Sequence, residues 1–316
     1  MDTAAWYRYF ADVEACDSSP SYATLAAGVA EDHQLIAQLE QLPTKKRQPN
    51  LLFASVRFLE GPTSNWGDFR SFVLANWSEV TDLMRDRATQ TNEAARCSAL
   101  LPVLGMLDTP IALIEVGASA GLCLLPDRYS YSYSGTPVGT SALHIDVACA
   151  GPVPIPSNLP LVAWRAGVDL NPLDVTNADD VAWLDACIWP EHHQRRNRLA
   201  LAVEIAAADP PNILRGDLTA TINQLIDSAP EDARVVVWHS AVLSYLPSEQ
   251  RSIFAAEMRS RPDVTWASNE APGVVEDLVT AKPPPAANAF VLGLDGTDAL
   301  AYTDPHGGWI DWILQP

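Results

Sequence analysis

The residues best suited to chemistry lie in one run, Glu115-Val116-Gly117-Ala118-Ser119-Ala120-Gly121. It ends the apolar stretch IALIEV (111–116), which reads as a buried strand. An acid closes the strand, and a tight turn of small residues follows. The next segment, LCLLPDR, reads as the start of a helix. Small side chains let backbone N–H groups come close to a ligand, and a helix N-terminus adds a favourable field.

Further acids recur at the ends of later strand patterns. Gly167-Val-Asp169-Leu-Asn171 closes one, and the two oxygens of Asp169 match a vicinal diol. Arg215-Gly216-Asp217 closes another, and Val235-Val-Val-Trp238-His239-Ser240 a third. His239 is the best general-base candidate, because an unshifted imidazole titrates near neutrality. Tyr245 shares that rim in sequence. Glu270 follows the fifth strand, at the edge where parallel sheets bind ligands. Asn92, Glu93 and Arg96 fall within one helical turn and could close over a ligand, or Glu93 and Arg96 could simply pair. His192, His193, Arg195, Arg196 and Arg198 form a basic knot. On a helix His192 and Arg196 share a face that suits an anionic substrate group. The alternative is pairing with local acids.

This order of signals resembles the Rossmann-like S-adenosylmethionine-dependent methyltransferases. The first turn matches their E/D-x-G-x-G-x-G motif with Ser119 in place of the middle glycine. The resemblance implies that Glu115, Gly117, Ala118, Ser119 and Gly121 surround the methionine part of S-adenosylmethionine. It implies that Asp169 holds the ribose, that Asp217 takes the adenine amino group, and that His239 and Ser240 border the transferable methyl. One departure stands out. In such folds the second acid follows the turn by roughly twenty residues, whereas the stretch from Gly121 to Asp169 is more than twice that length. The alternating YSYSYS and ALHIDVACAG must then form an inserted antiparallel hairpin near 129–150. The whole chain also resembles DUF2332, a bacterial family of uncharacterised proteins. EVGASAGLCLLPDRYSY, WRAGVDLNPLDV, the WL-x-A-x-x-WPE start at 183–191, VVVWHSAVLSYLP and HGGWIDWI carry that likeness. It implies membership and no established reaction.

Two rival chemistries use the same turn. Gly117-Ala-Ser119-Ala-Gly121 is also a G-x-S-x-G, the nucleophile elbow of α/β-hydrolases. That reading needs Ser119, His306 and an acid such as Asp277 or Asp295. Against it, helices stand where hydrolases place strands before the elbow, and Glu115 has no role. A nicotinamide site needs glycines where Ser119 and Leu122 stand. A cofactor-free member of the fold stays open.

The elements that must position these residues follow from periodicity. Residues 1–108 read as a helical cap: Tyr22, Leu25, Ala26 and Val29 keep helical spacing, and further patterns cover about 50–60, 68–76 and 78–107. Residues 109–316 alternate strands, expected near 111–116, 161–169, 212–215, 234–239 and 264–268, with helices, one of them over about 190–208. They end in an antiparallel hairpin, AFVLGLDG and ALAYTD. This predicts an α/β fold with a doubly wound, mostly parallel sheet. The 316 residues carry a formal charge of −19, which disfavours nucleic-acid backbone and anionic membrane partners and leaves a small-molecule substrate. Five dispersed cysteines without metal spacing, no signal-peptide core and no spanning apolar run predict a cytoplasmic protein with no bound metal. The sequence fixes no oligomeric state.

Overall fold

Helices occupy the N-terminal stretch of the computed structural model, which describes residues 2–107, 110–280 and 282–314. They are α1 (Thr3–Tyr9), α2 (Pro20–Glu31), α3 (His33–Leu39), α4 (Pro49–Phe58), α5 (Trp66–Ala75), α6 (Trp77–Asp86) and α7 (Cys97–Leu104). Local chemistry sets their ends. Asp2, Ser19, Asp32 and Asn65 each accept a first-turn N–H as N-caps, and Pro20 and Pro49 stand where a missing N–H is harmless. The pattern over 78–107 is not one helix. It breaks after Asp86 and resumes through a 3₁₀ turn at Ala94–Arg96.

Residues 1–91 and 177–197 make one compact unit. The later segment contributes α8 (Ala178–Cys187). Phe10, Tyr22, Phe53 and Trp189 form this unit's aromatic centre, with ring centroids 4.6–5.9 Å apart. Glu191 accepts the Ser21 N–H at 2.9 Å, and Trp189 Nε1 donates to Asn50 Oδ1 at 2.9 Å. Burying rings of this size contributes about 2 kcal/mol or more apiece, and it explains why residues 177–197 belong here. The change of texture expected at 108–109 falls on residues outside those described.

Residues 92–176 and 198–316 make the second unit. Its strands are β1 (Ile111–Val116), β2 (Ser130–Tyr133), β3 (Thr136–Val138), β4 (His144–Ala150), β5 (Val162–Asp169), β6 (Asn212–Arg215), β7 (Arg234–Ser240), β8 (Val264–Glu270), β9 (Phe290–Leu294), β10 (Asp298–Thr303) and β11 (Trp309–Trp312). The helices α9 (His193–Ala208, of which residues 198–208 fall in this unit), α10 (Leu218–Asp227) and α11 (Ser248–Arg259) alternate with the middle strands. The strand order is β3-β2-β4-β11-β10-β9-β8-β7-β1-β5-β6. Strands β8-β7-β1-β5-β6 are parallel, and β9, β10 and β11 add antiparallel pairings. The result is a mixed α/β architecture on a large, mostly parallel sheet. Ile114, Val116, Val237 and Trp266 pack with Ile222, Leu225 and Phe254 on one face. Period two puts Leu113, Glu115, Val236 and Trp238 on the other.

Two expectations need correction. The insertion is not a hairpin of YSYSYS with ALHIDVACAG. The hairpin is β2 with β3, closed by Ser134-Gly135 at φ +46° and +91°, and β4 runs parallel to β2. Together they form the far edge of the sheet against β11, which accounts for the long path from β1 to β5. In addition, LCLLPDR makes only two 3₁₀ turns, Leu122–Leu124 and Pro126–Arg128. The glycine turn therefore has no helix dipole behind it. Asn92 captures the Leu122 N–H, and Pro126 brings no N–H to continue a helix.

Candidate functional site

The chain leaves β1 for β5 on one side and reaches β7 on the other, so the sheet reverses its winding between β1 and β7. Crevices at such points, beyond the strands' C-terminal ends, are where parallel sheets bind ligands. The turn 117–121 stands there. Gly117 and Gly121 hold φ of +69° and +74°, and Ser119 holds +53°. Asn92 braces the turn, its Nδ2 donating to Ala118 O at 3.2 Å and its Oδ1 accepting Leu122 N–H at 3.0 Å. Asp169 braces it from β5, with Oδ2 accepting Ser119 N–H at 2.8 Å and Oδ1 accepting Asn171 N–H at 2.7 Å. Gly117 and Ala118 donate to Val168 O. A Cβ on Gly117 would lie 2.5 Å from the Val242 side chain, so Val242 fills the space before that glycine.

Glu115 and Trp238 are register partners on β1 and β7 and share a sheet face. Both are buried, and each has a polar atom without a hydrogen-bond partner: Glu115 Oε2 and Trp238 Nε1. Burial pushes the Glu115 carboxyl well above the usual carboxylate range. The adjacent Cys123 thiol adds to this, while Arg96 opposes it. Arg96 is itself buried and donates to Ser240 O and Pro305 O, both at 3.0 Å. Beyond it a polar row runs from Ser240 Oγ through Asn269, at 3.2 Å, to Thr303 Oγ1, at 2.6 Å. Cys123 lies against Cys97, and that contact and burial push its thiol above the usual thiol range.

His239 occupies the opposite face and is fully buried. Trp266 Nε1 is a donor only, so its 2.9 Å contact makes His239 Nε2 the acceptor. Nδ1 then carries the proton and gives it to Glu270 Oε1 at 2.8 Å. The same oxygen accepts Val242 N–H at 2.8 Å and Leu243 N–H at 3.0 Å. Both imidazole nitrogens are committed within the fold; Glu270 Oε1 holds the turn that carries Val242, while its Oε2 is buried without a hydrogen-bond partner. Glu270 also lines a small cavity of ≈ 30 Å³ with Thr280 and Val291. Tyr245 is 85% exposed, in the short turn that follows Val242.

The remaining candidates separate. Asp217 N-caps α10, accepting Thr219 N–H at 2.9 Å, and that residue's hydroxyl and amide hold its carboxyl below the usual range. Glu93 pairs with Arg198 at 2.9 Å, not with Arg96. His192 and Arg196 belong to the helical unit, where His192 stacks on Trp189 and Arg196 makes two bonds to Asp185 at 2.8 and 3.0 Å. The acids proposed for a hydrolase are engaged: Asp277 pairs with Arg259, and Asp295 accepts the Trp266 N–H. Among the described residues no cluster of three His, Cys, Asp or Glu could hold a metal ion, and no helix is long and apolar enough to cross a membrane. Sequence reasoning missed Trp238, Val242, Asn269 and Thr303. The alternation of β7 was the available signal for Trp238, since it separates residues 238 and 240 from 239.

No curated protein matches the chain. The family model described as "Uncharacterized protein conserved in bacteria (DUF2332)" matches residues 4–312. That span includes both compact units and every candidate residue above, and the chain therefore belongs to the DUF2332 family.

Proposed function

We propose that this chain is an S-adenosylmethionine-dependent methyltransferase acting on a small acceptor, with a methyltransferase-like, doubly wound core. The observation that carries the reading is the orphaned Glu115 Oε2, buried at the end of the central strand beside the glycine turn. A buried polar atom without a partner costs about 1–3 kcal/mol, and a ligand donor would recover it. The neighbouring strand ends fit a nucleoside. Each Asp169 oxygen uses one acceptor position on a backbone amide and keeps another for a ribose hydroxyl. Asp217 is exposed at the end of β6, one strand further out. Bound S-adenosylmethionine would supply an electrophilic methyl. The chain's own part is to hold the ligand and orient the acceptor. With both nitrogens of His239 engaged, proton removal falls to another group or to an acceptor that needs none. The strong negative charge supports a small acceptor over a nucleic acid. The five free cysteines support a reducing, cytoplasmic setting.

A second reading, a cofactor-free member of the fold, is favoured by Val242 against Gly117 and by the internally paired turn amides. Titration calorimetry with S-adenosylmethionine and S-adenosylhomocysteine separates the two. Saturable heat from one site, abolished by Gly117→Val, supports the methyltransferase. No heat at millimolar ligand supports the cofactor-free reading.

A further inference from the structure

We propose that the cavity at the end of β8 is a binding pocket for a small primary aliphatic amine, with the ammonium on Glu270 Oε2 and its carbon against Val275, Leu278 and Val291. The inference stands apart from the cofactor reading. Glu270 and His239 belong to one face of the sheet, and Glu115 and Trp238 belong to the other.

The two carboxyl oxygens of Glu270 have unequal surroundings. Oε1 accepts three N–H groups, from His239 Nδ1 and from the amides of Val242 and Leu243. These bonds fix the side chain before any ligand arrives, so binding need not order it. Oε2 is buried and accepts nothing. Natural folds rarely leave a buried acceptor in this condition, and it calls for a donor. Among the described residues the ion-pair contact of Glu270 is with His239 alone. His239 brings no positive charge, because its other nitrogen accepts the Trp266 Nε1 hydrogen. A cationic donor therefore suits the free oxygen better than a neutral one, since charge-assisted hydrogen bonds are the stronger kind.

The cavity sets the size and shape of that donor. Its volume of ≈ 30 Å³ is more than the roughly 10–15 Å³ that one water requires. It suits a nitrogen and the carbon attached to it. Besides Glu270, the lining offers one side-chain acceptor, Thr280 Oγ1, which lies 2.6 Å from the Tyr302 hydroxyl. Whichever of those two hydroxyls donates, Thr280 keeps an acceptor position. The remaining side chains of the lining are aliphatic. A water needs two to four polar partners and would turn its unused groups toward Val275, Leu278 and Val291. An amine aims its N–H groups at the two oxygens and its carbon at the aliphatic wall. Gly273, exposed and without a side chain, belongs to the same lining and gives the amine a way in from solvent.

Methyl-resolved NMR on the full chain tests the assignment. Methylammonium chloride is the probe, with methanol as its neutral counterpart and tetramethylammonium chloride as its oversized one. In wild type, methylammonium should give saturable shifts at the methyls of Val275, Leu278 and Val291, with nuclear Overhauser contacts to its own methyl. Methanol should bind about tenfold more weakly or worse, the worth of one charge-assisted hydrogen bond. Tetramethylammonium should leave these methyls unmoved. Glu270→Gln keeps an oxygen for the turn and sets an N–H donor where Oε2 stood, so it should weaken methylammonium by about tenfold or more. Thr280→Val leaves the carboxyl untouched and should weaken it by a few fold. The wild-type titrations need no variant and stand even if one fails to fold. Absence of any shift up to about 100 mM methylammonium would leave the cavity to water and overturn the proposal. Equal affinity for methanol overturns it too, as does unchanged methylammonium binding in properly folded Glu270→Gln.

Discussion

Two acids at neighbouring strand ends have opposite fates. Asp169, closing β5, gives both oxygens to backbone amides, one in the glycine turn and one in its own loop. Glu115, one strand away on β1, lies deeper and leaves Oε2 with nothing. Sequence reasoning treated them alike, as acids ending apolar strands before a ligand. The structure separates a carboxylate that builds the turn from a carboxyl that the turn leaves unsatisfied. Natural folds rarely keep such an atom without a reason. The contrast separates an acid whose loss should cost stability from one whose loss should not.

Removing the satisfied acid should have the largest effect. Asp169→Ala leaves the Ser119 N–H without this partner and the exposed Asn171 N–H to water, and should lower unfolding free energy by about 1–3 kcal/mol in urea titrations. A change below about 0.5 kcal/mol would mean that the Asp169 bonds do not hold the turn.

Removing the unsatisfied acid should act in the other direction. The folded-state pKa of Glu115 is raised, so the folded protein holds this proton more tightly than the unfolded chain does. Its contribution is fully present below the unfolded value of about 4.3 and is lost as pH rises through the folded value. Wild type should therefore lose stability relative to Glu115→Gln as pH rises from about 4 toward neutrality. Paired thermal unfolding across that range checks the sign. A wild type that gains on the variant with rising pH would show Glu115 to be ionised and paired.

The smallest effect belongs to the turn's own hydroxyl. Ser119→Ala removes one neutral hydrogen-bonding group worth about 1 kcal/mol and should change S-adenosylhomocysteine affinity only a few fold. Hydrolysis of a small activated ester that vanishes in Ser119→Ala would instead restore the nucleophile-elbow chemistry.

The legible parts of the molecule were those set by local pattern. The short β-branched runs IALIEV, VVVWHS and VTWAS announce β1, β7 and β8 because strands buried on both faces need continuous apolar side chains. Pairing partners were less accessible. Nothing local tells β4 to lie parallel to β2, or β11 to sit between β10 and β4, because that choice depends on distant edges. LCLLPDR reads as a helix until Asn92, thirty residues earlier, takes the Leu122 N–H. The geometry of the candidate site was half legible. Glu115, Asp169 and the glycines follow from spacing, whereas the engagement of His239 by Trp266 and Glu270 is purely tertiary. Trp238 needed only strict use of the two-residue period along β7.

The most direct test is a crystal structure of the protein soaked with S-adenosylhomocysteine. The account predicts ligand density at the C-terminal ends of β1 and β7, with a ligand donor within hydrogen-bond distance of Glu115 Oε2 and the Val242 side chain moved off Gly117. Ligand bound elsewhere, with Val242 still packed on Gly117 and only water at Glu115, would contradict it.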